Sequence, residues 1–331
     1  MFGRDISIDL GTANVVIHVK GRGIVLNEPS AVAVDTKSGE ILAVGTDAYR
    51  MAGRTPEHIV TVRPLRNGVI ADFEKAEFMI RVFLERIQIK SMFGRPRVMV
   101  CCPAGCGTVE QKAVREAVEK AGVRRIFLEE EPKAAAVGAG MDIYEPAGHM
   151  IVDIGGGTTD AAVLSMGTIV SSACIETAGN HLDQAVAVYM KKEYQLLVGS
   201  TTAEEIKKTC GTVSPEGREA GMTVRGRDMV SGLPRSVIVS AEEMRKVFLK
   251  PLEKIIQGVT AVLEKTPPEL AGDVMDRGIM LSGGGACLHG IGALFSERLD
   301  LPVYTAEEPL LCAAEGTAIM LGQMDQLAKA K

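Results

Sequence analysis

The sequence predicts an α/β protein made of two related halves, each led by an antiparallel hairpin. Three observations point that way. The segments "ISIDLGTANVVIHVKG" (Ile6 to Gly21) and "IVDIGGGTTDAAVLSMG" (Ile151 to Gly167) share one plan: an apolar strand, an Asp at its end, a turn of small residues with Gly and Thr, a second apolar strand and a closing Gly. After each hairpin the apolar spacing alternates between the period of strands and that of helices. The chain has 331 residues, long for one hydrophobic core and natural for two domains of ordinary size. Two copies of one plan imply duplication.

Taken in order, "DISIDL", "NVVIHVKG" and "GIVLNEPSAVAVD" are β-branched runs broken by Gly21 and Gly23, which predicts an antiparallel meander. A mixed polar stretch follows to about Arg66, and helical spacing runs from Phe73 to Ile89. "RPRVMVCCP" returns to strand. "TVEQKAVREAVEKAG" opens on a Thr108/Gln111 capping box and stops at Gly122. "RRIFLEEEPKAAAVGAGM" predicts a strand, an acidic turn and an Ala-rich helix begun by Pro132. The second meander spans His149 to Gly179. Its turn is expected to be two residues longer than the first, because fourteen positions separate Asp153 from Gly167 and twelve separate Asp9 from Gly21. "TTAEEIKKTCG" predicts a helix, followed by a polar, Gly-rich region to about Val239. A long helix from Ala241 to Lys265 starts at a Ser240/Glu243 capping box. "RGIMLSGGGACLHG" predicts a buried strand ending in a glycine turn, and "EEPLLCAAEGTAIMLG" a closing helix.

Bulk properties exclude several classes. Net charge is −5, so no basic field suggests a nucleic-acid partner. There is no Trp and aromatics are 4%, which leaves few stacking platforms for bases or sugars. Seven cysteines without a CxxC pair, with five scattered His, argue against a structural zinc site. Cys101 and Cys102 read as small buried hydrophobes, and the usage fits a reducing cytosol. No apolar run approaches ~20 residues and no signal-peptide core is present, so a spanning or secreted protein is not expected.

The chemistry sits in the turns. Small residues let successive backbone N–H groups face an anion. Gly11, Thr12, Ala13 and Asn14 could form one such nest, and Gly155, Gly156, Gly157 and Thr158 the other. Two nests from opposite domains would clamp a polyphosphate, and Asp9 and Asp153 would hold a hydrated Mg²⁺ over it. The alternative is a pair of tight hairpin turns, each capped by its Asp. Gly283, Gly284 and Gly285 follow a buried strand, where they either receive a nucleoside or merely turn the chain. Glu131, just before Pro132, is either a helix-capping acid or the carboxylate that orients water for in-line attack on a terminal phosphate. Glu204 and Lys207 are either an i,i+3 ion pair or grips for a ribose hydroxyl and an adenine edge.

"DLGTAN", "DIGGGTTD" and "SGGGA" together resemble the superfamily of actin, sugar kinases and heat-shock chaperone ATPases. The longer motifs "VKGRGIVLNEPS", "RPLRNGVIADFE", "LEEEPKAAAVGAGM" and "LEKTPPELAGDVMDRGIMLSGGGA" are similar to those of the MreB/Mbl family of bacterial actins, most of all Mbl, across nearly the whole chain. The resemblance implies an actin-like fold, a pair of ribonuclease-H-like domains around a nucleotide cleft, each with a smaller subdomain. Domain I would comprise residues 1–146 and 309–331 (small subdomain about 33–66), and domain II residues 147–308 (small subdomain about 180–240). It implies ATP or ADP with Mg²⁺ as ligands and slow, assembly-linked hydrolysis. It also implies homopolymeric filaments on the cytoplasmic face of the inner membrane, serving the cell-wall elongation machinery and the membrane proteins of the rod complex. Matched by motif, Thr12–Asn14 and Gly156–Thr158 would hold phosphates, and Asp9 and Asp153 the hydrated Mg²⁺. Glu131 would be the catalytic acid, Glu204, Glu205, Ile206 and Lys207 the ribose and base contacts, and Gly284–Ala286 the adenosine loop. Asn180, Ser200 and Ala318 depart from the usual pattern, the first two standing where an acid is common and the third where Gly is.

Met92 and Phe93 lie between Lys90 and Arg95 in a predicted loop, where they either fold onto the core or dip into an anionic bilayer. The family resemblance implies insertion, with Met1 and Phe2 as a second touch. A small-molecule kinase of the same superfamily would need a further base for an acceptor hydroxyl, and no motif supplies one. A chaperone-type ATPase would carry an appended substrate domain, for which the chain leaves little room.

Overall fold

The computed structural model describes residues 5–88, 96–214, 216–218 and 220–329. The first half runs β1 (Ile6–Leu10), β2 (Asn14–Val19), β3 (Gly23–Pro29), β4 (Val32–Asp35), β5 (Ile41–Val44), α1 (Thr46–Met51), β6 (Ile59–Val62), the short pair β7 (Leu65–Arg66) and β8 (Val69–Ile70), α2 (Phe73–Arg86), β9 (Arg97–Cys102), α3 (Thr108–Lys120), β10 (Arg125–Glu130) and α4 (Glu131–Gly138). The second half runs β11 (His149–Ile154), β12 (Thr159–Ser165), β13 (Thr168–Ile175), α5 (Gly179–Glu193), β14 (Leu196–Leu197), α6 (Ser200–Cys210), β15 (Gly221–Asp228), β16 (Pro234–Ser240), α7 (Ala241–Glu264), α8 (Pro268–Arg277), β17 (Ile279–Ser282), α9 (Ile291–Leu299) and β18 (Val303–Thr305). Helix α10 (Cys312–Lys329) closes the chain.

Two five-stranded sheets carry the duplication, in the orders β10-β9-β1-β2-β3 and β18-β17-β11-β12-β13. In each, a three-strand antiparallel meander is extended by two strands parallel to its first. A three-stranded sheet is inserted at the same place in both halves, between the meander and the fourth large-sheet strand: β5-β4-β6 in the first, β14-β15-β16 in the second. The polar stretches before Arg66 and Val239 therefore hold strands. Their alternating buried and exposed residues are short-range signals that Gly and charged residues interrupt. β4 leaves the expected meander for the small sheet, because Ser30 and Ala31 turn the chain away from β3.

Register corrects one expectation. Asp9 pairs with Val16 and Leu10 with Val15, while Asp153 pairs with Asp160 and Ile154 with Thr159. The two turns are thus equal in length, and the two extra residues lengthen the arm beyond them. A second correction concerns α3: Gly107 is its N-cap, no side chain caps it, and Gln111 donates instead to the Cys106 carbonyl. The Ser240/Glu243 capping box of α7 forms in full.

Each large sheet packs one face on helices of its own half, giving separate cores around Phe83 and around Phe248 and Phe295. A third core lies between the sheets. There α4 and α10 cross so closely that a Cβ on Gly316 would stand 1.8 Å from the Ala134 carbonyl oxygen. Cys101 is buried in that central core, and Cys102 in the core of the first half.

Candidate functional site

Both hairpin turns point into one cleft of about 460 Å³ between the halves, a size typical of small-molecule sites. They touch each other. A Cβ on Gly156 would lie 2.5 Å from the Ala13 Cβ, and one on Gly157 would lie 2.6 Å from Thr12 Oγ1, so glycine is the residue that permits the approach. Among the described residues no acceptor meets the N–H groups of Thr12, Ala13, Gly156, Gly157 and Thr158. Other atoms of the turns are fixed: Thr12 Oγ1 accepts from the Gly68 N–H at 2.9 Å, Ser30 Oγ donates to the Gly11 carbonyl at 2.6 Å, and the Asn180 N–H donates to the Gly156 carbonyl at 2.8 Å. Immobilised carbonyls beside unpartnered amides make two rigid donor arrays facing one space.

Carboxylates gather beneath the arrays. Burial, and next the charge of Asp153, push the Asp9 carboxyl up to about 7. Burial raises Asp153 to about 7 as well, against the hydrogen bond that Ser282 Oγ donates to its Oδ2 at 2.7 Å. Glu131, at the start of α4, is raised well above the ordinary range by burial and then by the charges of Asp9, Asp153 and Asp160. No described Lys or Arg pairs with these acids. Crowded carboxylates without a counter-cation fit a bound divalent ion. Two of them with waters and phosphate oxygens suit Mg²⁺, which is rarely held in an all-protein cage; among the described residues no cluster of three or more ligating side chains is assembled for a metal alone.

Asp9, Gly11, Thr12, Ala13, Asn14, Glu131, Asp153, Gly155, Gly156, Gly157, Thr158, Glu204, Lys207, Gly283, Gly284 and Gly285 all line the cleft. Gly283 has φ +78°, and a Cβ there would strike the Ile154 carbonyl and Asp153 Oδ1, so the third glycine cluster presses on the second hairpin. Three residues singled out in the sequence stand elsewhere. Glu205 is exposed on the outer face of α6, Ile206 is fully buried in the second core, and Ala286 is buried in the same core. The Glu204–Lys207 ion pair is absent. Glu204 pairs with Lys208 at 2.6 Å, at i,i+4, while Lys207 reaches α5 to meet Asp183 at 2.8 Å and the Gly179 carbonyl at 3.0 Å. Met92 and Phe93 lie outside the described residues, as do Met1 and Phe2.

Sequence reading missed Asp160. It stands opposite Asp153, where Val16 stands opposite Asp9, and its Oδ1 accepts from the Ala104 N–H of the first half at 2.9 Å. Burial pushes its carboxyl up to about 6, against hydrogen bonds from Ala104, Cys174 and Thr158. An Asp inside the otherwise apolar run "TDAAVL" was the available signal. Arg63, Asn180, Asp183 and Lys208 also line the cleft. No Phe or Tyr does among the described residues.

Duplicated sheets with matching insertions, a central helix pair and glycine hairpins meeting over buried acids define an actin-like protein. The sequence matches the MreB/Mbl protein family over residues 3–329, and the chain belongs to that family. It is 54% identical over 331 residues to the cell shape-determining protein Mbl of Bacillus subtilis, covering 100% of this chain and 99% of that one. Identity to the cell shape-determining protein MreB of Escherichia coli is 44% over 330 residues, covering 98% and 95%. The structure of MreB5 of Spiroplasma citri bound to ADP superposes with a TM-score of 0.94 at 41% identity, covering 99% of both chains. The same protein bound to AMPPNP gives 0.94 at 42%, covering 99% and 98%.

Proposed function

We propose that this chain is a filament-forming cytoskeletal ATPase that binds ATP and ADP with Mg²⁺ in the cleft between its halves. The observation that carries this reading is the contact of Gly156 and Gly157 with Ala13 and Thr12, which sets two arrays of unpartnered amides against one space. Gly11–Asn14 and Gly155–Thr158 bind the phosphates from opposite sides, Gly283–Gly285 receive the adenosine, and Glu204 and Lys207 approach the ribose and base. Asp9 and Asp153 hold the hydrated Mg²⁺, which when bound offsets phosphate charge. Glu131 orients the attacking water and holds its proton; burial and the neighbouring acids raise its affinity for that proton. Binding of ADP and AMPPNP by MreB5 of Spiroplasma citri supports the ligand class. Domain I (1–146 and 309–331) and domain II (147–308) would move about α4 and α10, a division supported by the packing of α10 on β1, β2 and β9.

At the cellular level, the names of the Mbl and MreB relatives support a part in rod shape. Filaments lie on the cytoplasmic face of the inner membrane, where Met92 and Phe93 insert and the cell-wall elongation machinery and rod-complex membrane proteins engage them. No described helix is long and apolar enough to cross a membrane, so attachment would be peripheral and gain strength from many subunits acting together. Titration calorimetry with ATP and ADP, with and without Mg²⁺, tests the site, and electron microscopy with ATP and lipid tests assembly. Magnesium-dependent heat and filaments are expected; neither appearing would remove the proposal.

A further inference from the structure

The halves also meet through side chains at the outer rim of the cleft. Tyr49 stands on α1, in the small sheet unit of the first half, and Glu204 on α6, in the matching unit of the second. The Tyr49 hydroxyl donates to Glu204 Oε2 at 2.5 Å, joining residues 155 positions apart. Lys208 holds the other carboxylate oxygen at 2.6 Å. Although burial opposes ionisation, hydrogen bonds from Lys208 and Tyr49 keep the Glu204 carboxyl below its ordinary range. Burial and then the Glu204 carboxylate raise the Tyr49 phenol, which keeps its proton. A neutral donor therefore meets an ionised acceptor, the pairing that gives short, strong hydrogen bonds. Longer contacts flank it: Arg63 Nη1 donates to the Thr12 carbonyl and to Asn180 Oδ1, each at 3.4 Å, and Asn67 Nδ2 donates to Glu176 Oε2 at 3.3 Å.

We propose that Tyr49 is a positioning residue of the nucleotide site: it clasps Glu204 from the opposite half, and breaking that clasp is the step that releases nucleotide. The inference rests on the reading of the cleft as an adenine-nucleotide site. At the inner end the halves are joined by the touching hairpins and by α4 and α10, so the mouth is where they can part. Of the side-chain contacts across the mouth among the described residues, that of Tyr49 is the shortest. Tyr49 is not among the residues lining the cleft. Removing its hydroxyl therefore deletes no side chain that lines the cleft and changes only the hold on Glu204.

The test loads the full chain with a fluorescent ADP analogue and Mg²⁺, then follows release after adding excess ADP. Tyr49→Phe keeps the ring and removes only the hydroxyl. It is expected to speed release about 10- to 150-fold, as loss of a hydrogen bond to a charged group implies. In a Glu204→Ala background the same substitution should change release less than about twofold, since its partner is gone. A merely structural role for Tyr49 would persist in that background. Release from Tyr49→Phe at the wild-type rate, or equal acceleration in the Glu204→Ala background, overturns the clasp and leaves the nucleotide reading standing. Failure of the wild-type chain to bind the analogue overturns both.

Discussion

The acids crowded in the cleft lower the stability of the fold toward neutral pH. Asp9 and Asp153 hold protons more tightly in the folded chain than their ordinary value of 3.8, each being raised to about 7. The folded state thus binds more protons than the unfolded state between about pH 4 and pH 7, and these groups make stability fall as pH rises through that window. Asp153→Asn should raise the denaturation midpoint of the ligand-free protein at pH 7.5 and flatten its decline from pH 5, read by urea titration. The same variant should gain less stability than the wild type on addition of Mg²⁺ with ADP. A midpoint no higher than wild type would show that crowding of carboxylates carries no strain. Glu131→Ala should bind ATP with little change yet release phosphate at least about 100-fold more slowly, the scale of general-base catalysis. Unchanged phosphate release would take Glu131 out of its role.

At the scale of elements, α4 and α10 cross where two glycines leave no room for a side chain. Gly138 faces the Cys312 carbonyl and Gly316 faces the Ala134 carbonyl, with no room for a Cβ at either. Gly316→Val should destabilise the chain by about 3 kcal/mol through overpacking, measured as a lowered urea midpoint. Retained stability would show that the helices slide apart freely. Most elements were legible locally: the β-branched hairpin strands, the α7 capping box and the α4 start at Pro132 all form as read. The small sheets were not. The strands of the first are only four residues each, and in the second the alternation along β15 is interrupted by Gly226 and by arginines, so pairing with β14 and β16 is what holds it. The α3 capping box failed because Thr108 falls one residue inside the helix, where its hydroxyl caps nothing.

At the scale of the whole molecule, the two halves enclose one cleft, and the proposed membrane attachment is a property of the assembled protein. If filaments attach through Met92 and Phe93, Phe93→Ala should lower co-sedimentation with anionic liposomes by about tenfold in apparent affinity, the worth of one inserted aromatic summed over few contacts. Pelleting with ATP in the absence of lipid should stay at the wild-type level. Equal lipid binding by the variant would place the membrane contact elsewhere on the chain.

The candidate site was legible where backbone chemistry is local. A glycine turn after an Asp-ended strand is written in consecutive residues, so Asp9, Asp153, the two hairpin turns and the glycines at 283–285 could be read directly. Duplication followed from the same text, because the plan repeats. What tertiary structure alone decided is which groups face one another, across the halves as Asp160 with Ala104 and Tyr49 with Glu204, or between helices of one half as Lys207 with Asp183. Those pairs depend on how two sheets are set around α4 and α10, and no spacing along the chain encodes a distance between elements that meet only after the core has formed.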